Sequence, residues 1–513
     1  MMKIVKAKEM ARVEKLAFEQ GVSEEECMQR AGEAVAQAVQ YYVGQHHIKP
    51  PILLLCGSGN NAGDAYVAGR HLKEGGFDVS ALALAPFDAS SPLCQLQSHR
   101  FAQMGGEIRY IKNGSEISFA EGHLILDGVL GTGFHGEVQG LFREAIEKAN
   151  RSKLPILSID IPSGLDGTTG KVGGVAIQAK ETLFLGLPKA GCFLGDAWNY
   201  VGRVRILDFG LEQKYIAQAK ADFILIDEEM LAVLIPPIIR TRHKYEVGYV
   251  VGVGGSHGMP GAPLMASFST LRAGAGMVRL LHPEGMESEL SSARHEVIRQ
   301  GYKEGDHNAI LKAMERAAAV FIGPGMGTSS AALKMLRKLL PQISLPCVID
   351  AEALTLIATH DLSLPPQTVL TPHHGEMKRL LKLTEEVPVE QFLKQTHEYS
   401  ERHRVTVLLK GAPSFVFHPK EVPHLSAFGD PGMATAGSGD ILTGIIAGLL
   451  AQMKDPLKAT LLGAALHAKA GEYAAEKWTS YCLVAEDLLD FLPHAFRSCI
   501  PSTMPQTVST PPQ

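Results

Sequence analysis

Apolar and polar residues alternate along the chain in two recurring patterns. Short continuous apolar runs at 51–56, 123–127 and 154–160 end in glycine-rich or acidic segments. Such runs are typical of strands buried on both faces of a parallel sheet. Residues 5–43 repeat apolar positions at helical spacing and predict two amphipathic helices, with glutamates after Ser23 in the first turn of the second.

The same alternation continues in the second half of the chain. Further strands are predicted at 248–253, 277–281, 319–323, 347–350, 368–371 and 406–410. A polar helical segment at 214–221 and a new apolar run at 223–227 place a domain boundary near 215–227. Strands alternating with helices predict an α/β fold with helices on both sides of a parallel sheet.

A helix beginning at Ile441 is predicted to be buried on one broad apolar face. Its remaining face carries small residues, where another backbone can approach closely: Gly444, Ala447, Gly448 and Ala451.

Composition narrows the class of protein. A chain of 513 residues indicates more than one domain, and 45% hydrophobic with 20% charged residues is typical of a globular protein. The net charge of −5 without a long basic run gives no sign of a nucleic-acid partner. No apolar run has membrane-spanning length, so no membrane partner is expected.

The cysteines and the N-terminal segment indicate the cellular compartment, and the C-terminal segment has a distinct composition. Seven scattered cysteines without a C-x-x-C pair favour reduced thiols over disulfides or a zinc site. The N-terminal segment lacks the apolar centre of a signal peptide, so a cytoplasmic location is expected. Residues 498–513 are expected to form a disordered tail, because 501–513 is rich in Pro, Ser and Thr.

The first glycine-rich turn, GSGNNAGD at 57–64, lies between a predicted strand and a predicted helix. This arrangement can bind phosphate at a helix start, although the spacing is not a dinucleotide fingerprint. Amide and carboxylate oxygens could equally hold a cation. The ends of parallel strands meet at one sheet edge, so Asn61, Asp127 and Ser163 are expected to converge as oxygen ligands. Alone, each would be a turn residue or a cap.

The second half carries an anion site of its own. Free N–H groups and glycines at Ala436–Gly439 suit a phosphate at a helix start. Asp440 follows directly, and a carboxylate there could take the proton from a phosphate acceptor; the alternative is a simple N-cap. Lys410 leaves an apolar strand and needs an anion nearby. His373 could contact a ligand or cap a turn, and Glu376 could reach magnesium through water or cap its helix.

The motifs GSGNNAGDAYVAGRHL, DGVLGTGF and SIDIPSGLDG resemble the epimerase half of the bifunctional NAD(P)H-hydrate repair enzymes over about residues 1–215. The resemblance implies a three-layer, Rossmann-like α/β/α domain at 1–220 that interconverts R and S hydrated NAD(P)H. It implies potassium ligands at Asn61, Asp127 and Ser163. The implied substrate contacts are Asn60, Asn61, Ala62, Gly63, Asp64, Gly131, Thr132, Gly133, Phe134, His135, Gly136, Glu137 and Asp160.

Inverting the hydroxyl carbon needs acid help as the hydroxyl leaves and base help as it returns. The resemblance places Asp160 and Lys189 in that work, without assigning which does what. The alternative for Lys189 is a surface lysine before a turn. Ala62 and Ala65 depart from the family, where glycines are usual, and their methyl groups are expected to crowd the turn.

The motifs GGSHGMPGAPLMAS, IGPGMG, VIDAEAL, LTPHHGEMKRLL, LKGAPSFV and DPGMATAGSGDILTGIIAGLLAQ resemble the dehydratase half of the same enzymes. The resemblance implies a ribokinase-like α/β/α domain at 228–497 that dehydrates the S hydrate with ADP, releasing NAD(P)H, AMP and phosphate. Implied substrate contacts are Ala262, Gly325, His373 and Asp440; implied nucleotide contacts are Lys410, Gly411, Ala412, Pro413, Ser414 and Gly439. The chain departs from the family at His374, usually Pro, and Glu352, usually Asp.

The predicted function is therefore metabolite repair of NADHX and NADPHX, with potassium in the epimerase and magnesium with ADP in the dehydratase. Asp440 is the expected catalytic base, and a homo-oligomer is expected. The alternative is a ribokinase-like kinase of a small alcohol with a non-catalytic N-terminal binding domain. That kinase would release a stable phosphorylated product.

Overall fold

The computed structural model describes residues 1–500. The chain forms an N-terminal unit, Met2–Phe223, and a C-terminal unit that begins at Ile224. The tail predicted at 498–513 lies outside the described residues except for its first three, of which Ser498 and Cys499 belong to the last helix.

The N-terminal unit contains a seven-stranded, wholly parallel sheet in the order β4-β3-β2-β5-β6-β7-β8. Its strands are β1 (Met2–Ile4, outside this sheet), β2 (Ile52–Cys56), β3 (Val79–Ala83), β4 (Glu107–Tyr110), β5 (Leu124–Gly128), β6 (Ile156–Ile159), β7 (Glu181–Leu185) and β8 (Arg203–Leu207). Its helices are α1 (Ala7–Glu19), α2 (Glu24–His46), α3 (Asn60–Glu74), α4 (Pro92–Gln103), α5 (Gly140–Arg151), α6 (Trp198–Val201) and α7 (Gln213–Ile216).

Both faces of this sheet are covered by apolar cores. In β2, Leu54 belongs to the core beneath α2 and α3, whereas Leu53 and Leu55 belong to the core on the opposite face. Alternate residues therefore need to be apolar on both sides, which explains the continuous apolar runs. The two predicted N-terminal helices are confirmed as α1 and α2, and Ser23 caps the second by accepting from Glu26 N–H at 3.2 Å.

The C-terminal unit is built on a second sheet in the order β9-β18-β17-β16-β15-β14-β13-β10-β11-β12. Its strands are β9 (Phe223–Leu225), β10 (Tyr249–Val253), β11 (Met277–Pro283), β12 (Val297–Tyr302), β13 (Ala319–Ile322), β14 (Cys347–Ile349), β15 (Thr368–Leu370), β16 (Thr406–Leu409), β17 (Ser414–Phe417) and β18 (His424–Ser426). Only β17 runs antiparallel to its neighbours among these described strands.

Ten helices surround this sheet in the described part of the unit. They are α8 (Glu228–Leu234), α9 (Gly261–Arg272), α10 (His307–Met314), α11 (Ser330–Leu339), α12 (Glu352–His360), α13 (His374–Leu380), α14 (Val389–His403), α15 (Ser438–Met453), α16 (Pro456–Trp478) and α17 (Ala485–Cys499). One hydrophobic core cluster joins α9, α15, α16 and α17 to the sheet. The predicted fold class, two α/β/α domains built on largely parallel sheets, is confirmed.

The small-residue face of α15 lies directly on the backbone of α9. A Cβ added at Gly444 would lie 2.0 Å from the carbonyl oxygen of Ala266, and one at Gly448 would lie 2.5 Å from that of Thr270. The predicted close approach of another backbone is confirmed.

Two predicted elements differ from the structure, and the strands β3, β4, β7, β8 and β12 were not predicted. The helix predicted at 214–221 is the single turn α7, and α15 begins at Ser438 rather than Ile441. The hairpin of β17 and β18 was not predicted, because each strand is short and part polar. Within residues 1–500, no helix combines the length and hydropathy needed to cross a bilayer.

Candidate active sites

The oxygen ligands predicted at the first sheet edge lie together. Asp127, at the end of β5, is fully buried. Its carboxylate accepts from the Ser163 hydroxyl at 2.5 Å and N–H at 3.0 Å, and from the Ser158 hydroxyl at 2.8 Å. The Ser163 hydroxyl accepts from the Leu130 N–H at 2.8 Å, and the Leu130 carbonyl accepts from the Asn61 amide at 3.0 Å. Asn61, Asp127 and Ser163 therefore share one buried oxygen-rich cluster.

Lys189 and Asp160 form a buried ion pair in the same unit. Asp160 follows β6 in a left-handed conformation with φ of +64°, and its Oδ1 accepts from Lys189 Nζ and from the Leu185 N–H. Lys189 Nζ also donates to the Leu185 carbonyl at 2.9 Å. Its side chain is 1% exposed, so the surface-lysine alternative is wrong.

Two more carboxyl groups act electrostatically on this pair. Burial, reinforced by the Asp160 and Glu14 charges, raises the pKa of Asp64 well above its usual value. Burial likewise raises the pKa of Glu14, on α1, to about 7, and the Lys189 charge only partly offsets it. The Lys189 charge opposes the raised pKa of both Glu14 and Asp64, so these two acids and Asp160 share one cation.

The remaining predicted contacts of this unit are spread around the turn and the loop 131–137. A Cβ at Gly131 would lie 3.3 Å from Asn61 Cβ, which places the start of the loop beside the oxygen cluster. The segment 135–137 is exposed, and His135 Nδ1 lies 2.8 Å from an Asp166 oxygen. Asn60 accepts from the Ser91 hydroxyl at 2.8 Å.

The two alanines that depart from the family fit the helix they occupy. Ala62 and Ala65 are fully buried, and a Cβ at Gly128 would lie 2.9 Å from Ala65 Cβ. The Ala65 methyl therefore packs on β5 rather than crowding the opening of the turn. The effect of Ala62 on the turn stays a prediction.

In the C-terminal unit, α15 begins at the predicted anion site. Gly437 is the N-cap, with φ of +93° and no side-chain cap, and Asp440 lies in the first turn. The N-cap alternative for Asp440 is therefore wrong. Burial, followed by the Asp350 charge, raises the pKa of this half-buried carboxyl to about 7, against the opposing effect of Lys410. Asp440 is thus a carboxyl poised to exchange a proton near neutral pH.

Lys410 is held at this helix start by two acids. Its Nζ lies 2.8 Å from Asp350 and 4.0 Å from Glu376, and a Cβ at Gly439 would be 3.3 Å from that Nζ. Burial alone would lower the pKa of Lys410, but the two carboxylates raise it, so it stays charged. The other Asp350 oxygen accepts from the Thr443 hydroxyl at 2.7 Å, which ties α15 to the end of β14.

The predicted substrate contacts border this helix start. Gly325 lies against α9, because a Cβ there would be 3.4 Å from Ala262 Cβ. Further along α9, Met265 Cε lies 2.6 Å from a Cβ built at Gly437. His373 caps α13 through Nδ1, which accepts from Gly375 N–H at 3.0 Å, and Glu376 completes this capping box. Both capping alternatives are present, and they leave His373 56% exposed.

The turn 410–414 is closed by Ser414, whose hydroxyl donates to the Gly411 carbonyl at 2.9 Å. Gly411 and Ala412 are exposed while Pro413 is buried. His374, where the family usually has proline, stacks on Phe392 with ring centroids 5.5 Å apart. This substitution therefore adds packing behind the turn.

Comparison with known proteins places this chain in a family. The family model described as NAD(P)H-hydrate dehydratase matches residues 250–494, and the one described as YjeF-related protein N-terminus matches residues 24–191. The bifunctional NAD(P)H-hydrate repair enzyme of Moorella thermoacetica is 34% identical, with 97% of each chain covered. The chain belongs to the bifunctional NAD(P)H-hydrate repair enzymes. The Escherichia coli member is also 34% identical, over 92% of this chain and 89% of its own.

Similar solved structures include a ribokinase-like superfamily protein from Enterococcus faecalis, which is 29% identical to this chain. The match covers 54% of this chain and 97% of the Enterococcus protein, with a TM-score of 0.49. The ADP/ATP-dependent NAD(P)H-hydrate dehydratase of Bacillus subtilis is 27% identical and covers 54% and 99%, with a TM-score of 0.47.

Sequence reasoning missed residues of both repair-enzyme sites. Glu14 lies on an ordinary amphipathic helix, and no motif marks it. His467, on α16, has Nε2 3.0 Å from the Ser438 carbonyl. A carbonyl can only accept, so this nitrogen carries the hydrogen, and burial lowers the pKa of His467 to about 4. A neutral histidine thus anchors the first turn of α15.

Proposed function

We propose that this chain repairs hydrated NAD(P)H in two steps. The N-terminal unit interconverts the R and S hydrates, and the C-terminal unit dehydrates the S hydrate with ADP. The observation that supports this most directly is the position of Asp440. It lies near Lys410 in the first turn of α15, where no side chain caps the N–H groups, and burial raises its pKa to about 7. Such a site can take a proton from an alcohol next to a bound phosphoryl group.

In the dehydratase, Asp440 removes the proton of the ring hydroxyl while that oxygen attacks the terminal phosphorus of ADP. The bond to AMP breaks, with the N–H groups at Ala436–Gly439 and the Lys410 ammonium stabilising the phosphoryl charge. The ring nitrogen lone pair then expels phosphate by breaking the C–O bond. Loss of a proton from the neighbouring carbon restores the dihydronicotinamide ring.

Two carboxylates suit the magnesium that accompanies a nucleotide. Glu352 Oε2 is buried without a hydrogen-bond partner among the described residues, and Glu376 lies beside Lys410. Magnesium is commonly held by phosphates, one or two carboxylates and waters, and it would neutralise phosphate charge here. We assign Glu352 and Glu376, both in the dehydratase domain at 228–497, to this role. We assign the substrate to the side of the site that carries Ala262, Gly325 and His373.

In the epimerase, the buried cluster suits potassium. Asn61, Asp127 and Ser163 supply amide, carboxylate and hydroxyl oxygens, and burial raises the pKa of Asp127 against its hydrogen bonds from Ser163. A bound monovalent cation would offset that cost and hold phosphate near the turn. Lys189 and Asp160, with Asp64 behind them, would give and take the proton as the hydroxyl leaves one face and returns to the other.

The test is incubation of the full chain with a mixture of R and S hydrates, ADP and magnesium, followed by chromatography of all products. We expect complete conversion to NAD(P)H with one AMP and one phosphate per turnover. Conversion that stops at the S fraction would refute the epimerase assignment. A stable phosphorylated alcohol in place of NAD(P)H would favour the kinase alternative.

A further inference from the structure

Glu289 holds two consecutive residues of the loop 255–260, which leads from β10 to α9. Its Oε1 lies 2.7 Å from Nδ1 of His257, and its Oε2 accepts from the N–H of Gly258 at 2.8 Å. The hydrogen bond from His257 lowers the pKa of Glu289, so the group is ionised at neutral pH. Both oxygens of one carboxylate therefore hold the loop through charge-assisted contacts.

The same loop also contacts Gly325, one of the predicted substrate residues. The Ser256 hydroxyl donates to the Gly325 carbonyl at 2.9 Å. A Cβ at Gly325 would lie 2.7 Å from the carbonyl oxygen of Met259 and 3.4 Å from Ala262 Cβ. The loop thus contacts both the Glu289 carboxylate and Gly325, which itself lies beside Ala262.

The segment that carries Glu289 is fixed in the core. Leu290, the next residue, is fully buried, as is Met286. A Cβ at Gly255, where the loop starts, would lie 3.2 Å from Met286 Cε. Glu289 therefore projects from a packed segment, while His257 is 69% exposed.

We propose that Glu289 is a positioning residue that holds loop 255–260 against Gly325 and thereby preforms one wall of the pocket for the nicotinamide hydrate. This inference rests on the proposed function, because it takes that pocket as the dehydratase substrate site. Without the two contacts, the substrate must order the loop on binding, which costs affinity. Glu289 takes no part in the proton and phosphoryl transfers, so its removal weakens the binding of substrate and transition state equally.

The test is Glu289→Gln in the full chain, assayed with the S hydrate, ADP and magnesium. We expect KM for the hydrate to rise roughly tenfold, with kcat and KM for ADP unchanged within about twofold. Glu289→Asp, which keeps the charge on a shorter side chain, should give an intermediate KM. Glu398→Gln is the matched control, because it removes an exposed partner of Lys394 on α14, and it should behave as wild type.

Hydrogen exchange supplies a readout that is independent of catalysis. In Glu289→Gln, the peptide covering 255–260 should exchange faster than in wild type without any substrate present. Unchanged exchange there, or an unchanged KM for the hydrate, would overturn the role of Glu289. So would an equal loss in kcat and both KM values, which indicates general disruption. A wild-type chain without dehydratase activity would instead refute the proposed function, with the exchange result still standing.

Discussion

At the scale of single residues, two aspartates near the start of α15 differ in their neighbours. Asp350 is paired with Lys410 and Thr443. Asp440, one turn before Thr443, lies near the same lysine but makes no cap, and burial raises its pKa to about 7. The motif around Asp440 could be read from the sequence. The pairing of Lys410 and Thr443 with Asp350 depends on the ends of β14 and β16 meeting the start of α15 in space. No local sequence pattern predicts that meeting.

Asp440→Asn tests the proposed base. The amide cannot accept the hydroxyl proton, so kcat of the dehydratase should fall by about 10²- to 10⁴-fold with KM for ADP changed little. Steady-state assays with S hydrate and ADP measure both constants. Asp455→Asn is the matched control, because Asp455 caps the start of α16 and asparagine caps equally well. An equal loss of turnover and nucleotide affinity in the Asp440 variant would point to a structural role.

Glu14→Gln tests the acid that sequence reasoning missed. Its carboxyl has a pKa of about 7 in the folded chain against 4.5 as the reference value, so the folded state binds its proton more tightly. This contribution to stability is present below pH 4.5 and is lost as pH rises through about 7. The free energy of unfolding should therefore fall less over that window in the variant.

Urea unfolding at a series of pH values measures this slope. Glu33→Gln, which removes an exposed glutamate of α2, is the control and should keep the wild-type slope. An identical slope in the Glu14 variant would contradict the expectation.

At the scale of elements, the sequence predicts which strands are buried better than it predicts how strands pair. β2 and β5 could be predicted because each is apolar on both faces. The hairpin of β17 and β18 could not, because its antiparallel register pairs Ser414 with Ser426 and is set by the sheet around it. The glycines of α15 could be predicted to form a small-residue face, but the partner helix α9 became known only from the structure.

Gly444→Ala tests the contact between α15 and α9. The added methyl would lie 2.0 Å from a backbone oxygen that cannot move alone, so we expect a loss of roughly 1–3 kcal/mol in the free energy of unfolding. Chemical denaturation measures it. Gly44→Ala is the matched control: this helical glycine of α2 has open space at its Cβ position, and alanine there should be neutral or stabilising by up to about 1 kcal/mol. Similar values for the two variants would contradict the packing argument.

At the scale of the whole molecule, each unit carries a sheet and a candidate site of its own. The division of the chain near 215–227 was predictable from a change in pattern, whereas the buried charge of Lys189 was not, because a lysine before a turn is exposed in most proteins. Two self-contained sites imply that one reaction can be removed without the other.

Lys189→Gln in the full chain tests this independence. Removal of the only cation paired with Asp160 among the described residues should stop epimerisation, while S hydrate is still dehydrated at the wild-type rate. With a racemic hydrate, conversion should halt once the S form is consumed, provided that spontaneous epimerisation is slower than the assay. Slowed dehydration of pure S hydrate in this variant would contradict the separation. Lys214→Gln, at an exposed pair with Glu212, serves as the control.

The contact of Gly444 and Gly448 with the carbonyls of Ala266 and Thr270 has a consequence for evolution. The helix that presents the acid, α15, and the helix that carries Ala262, α9, touch main chain to main chain. Their spacing is therefore independent of side-chain volume. The surrounding aliphatic residues can change without altering the spacing of the two helices, whereas a mutation at either glycine would alter it at once.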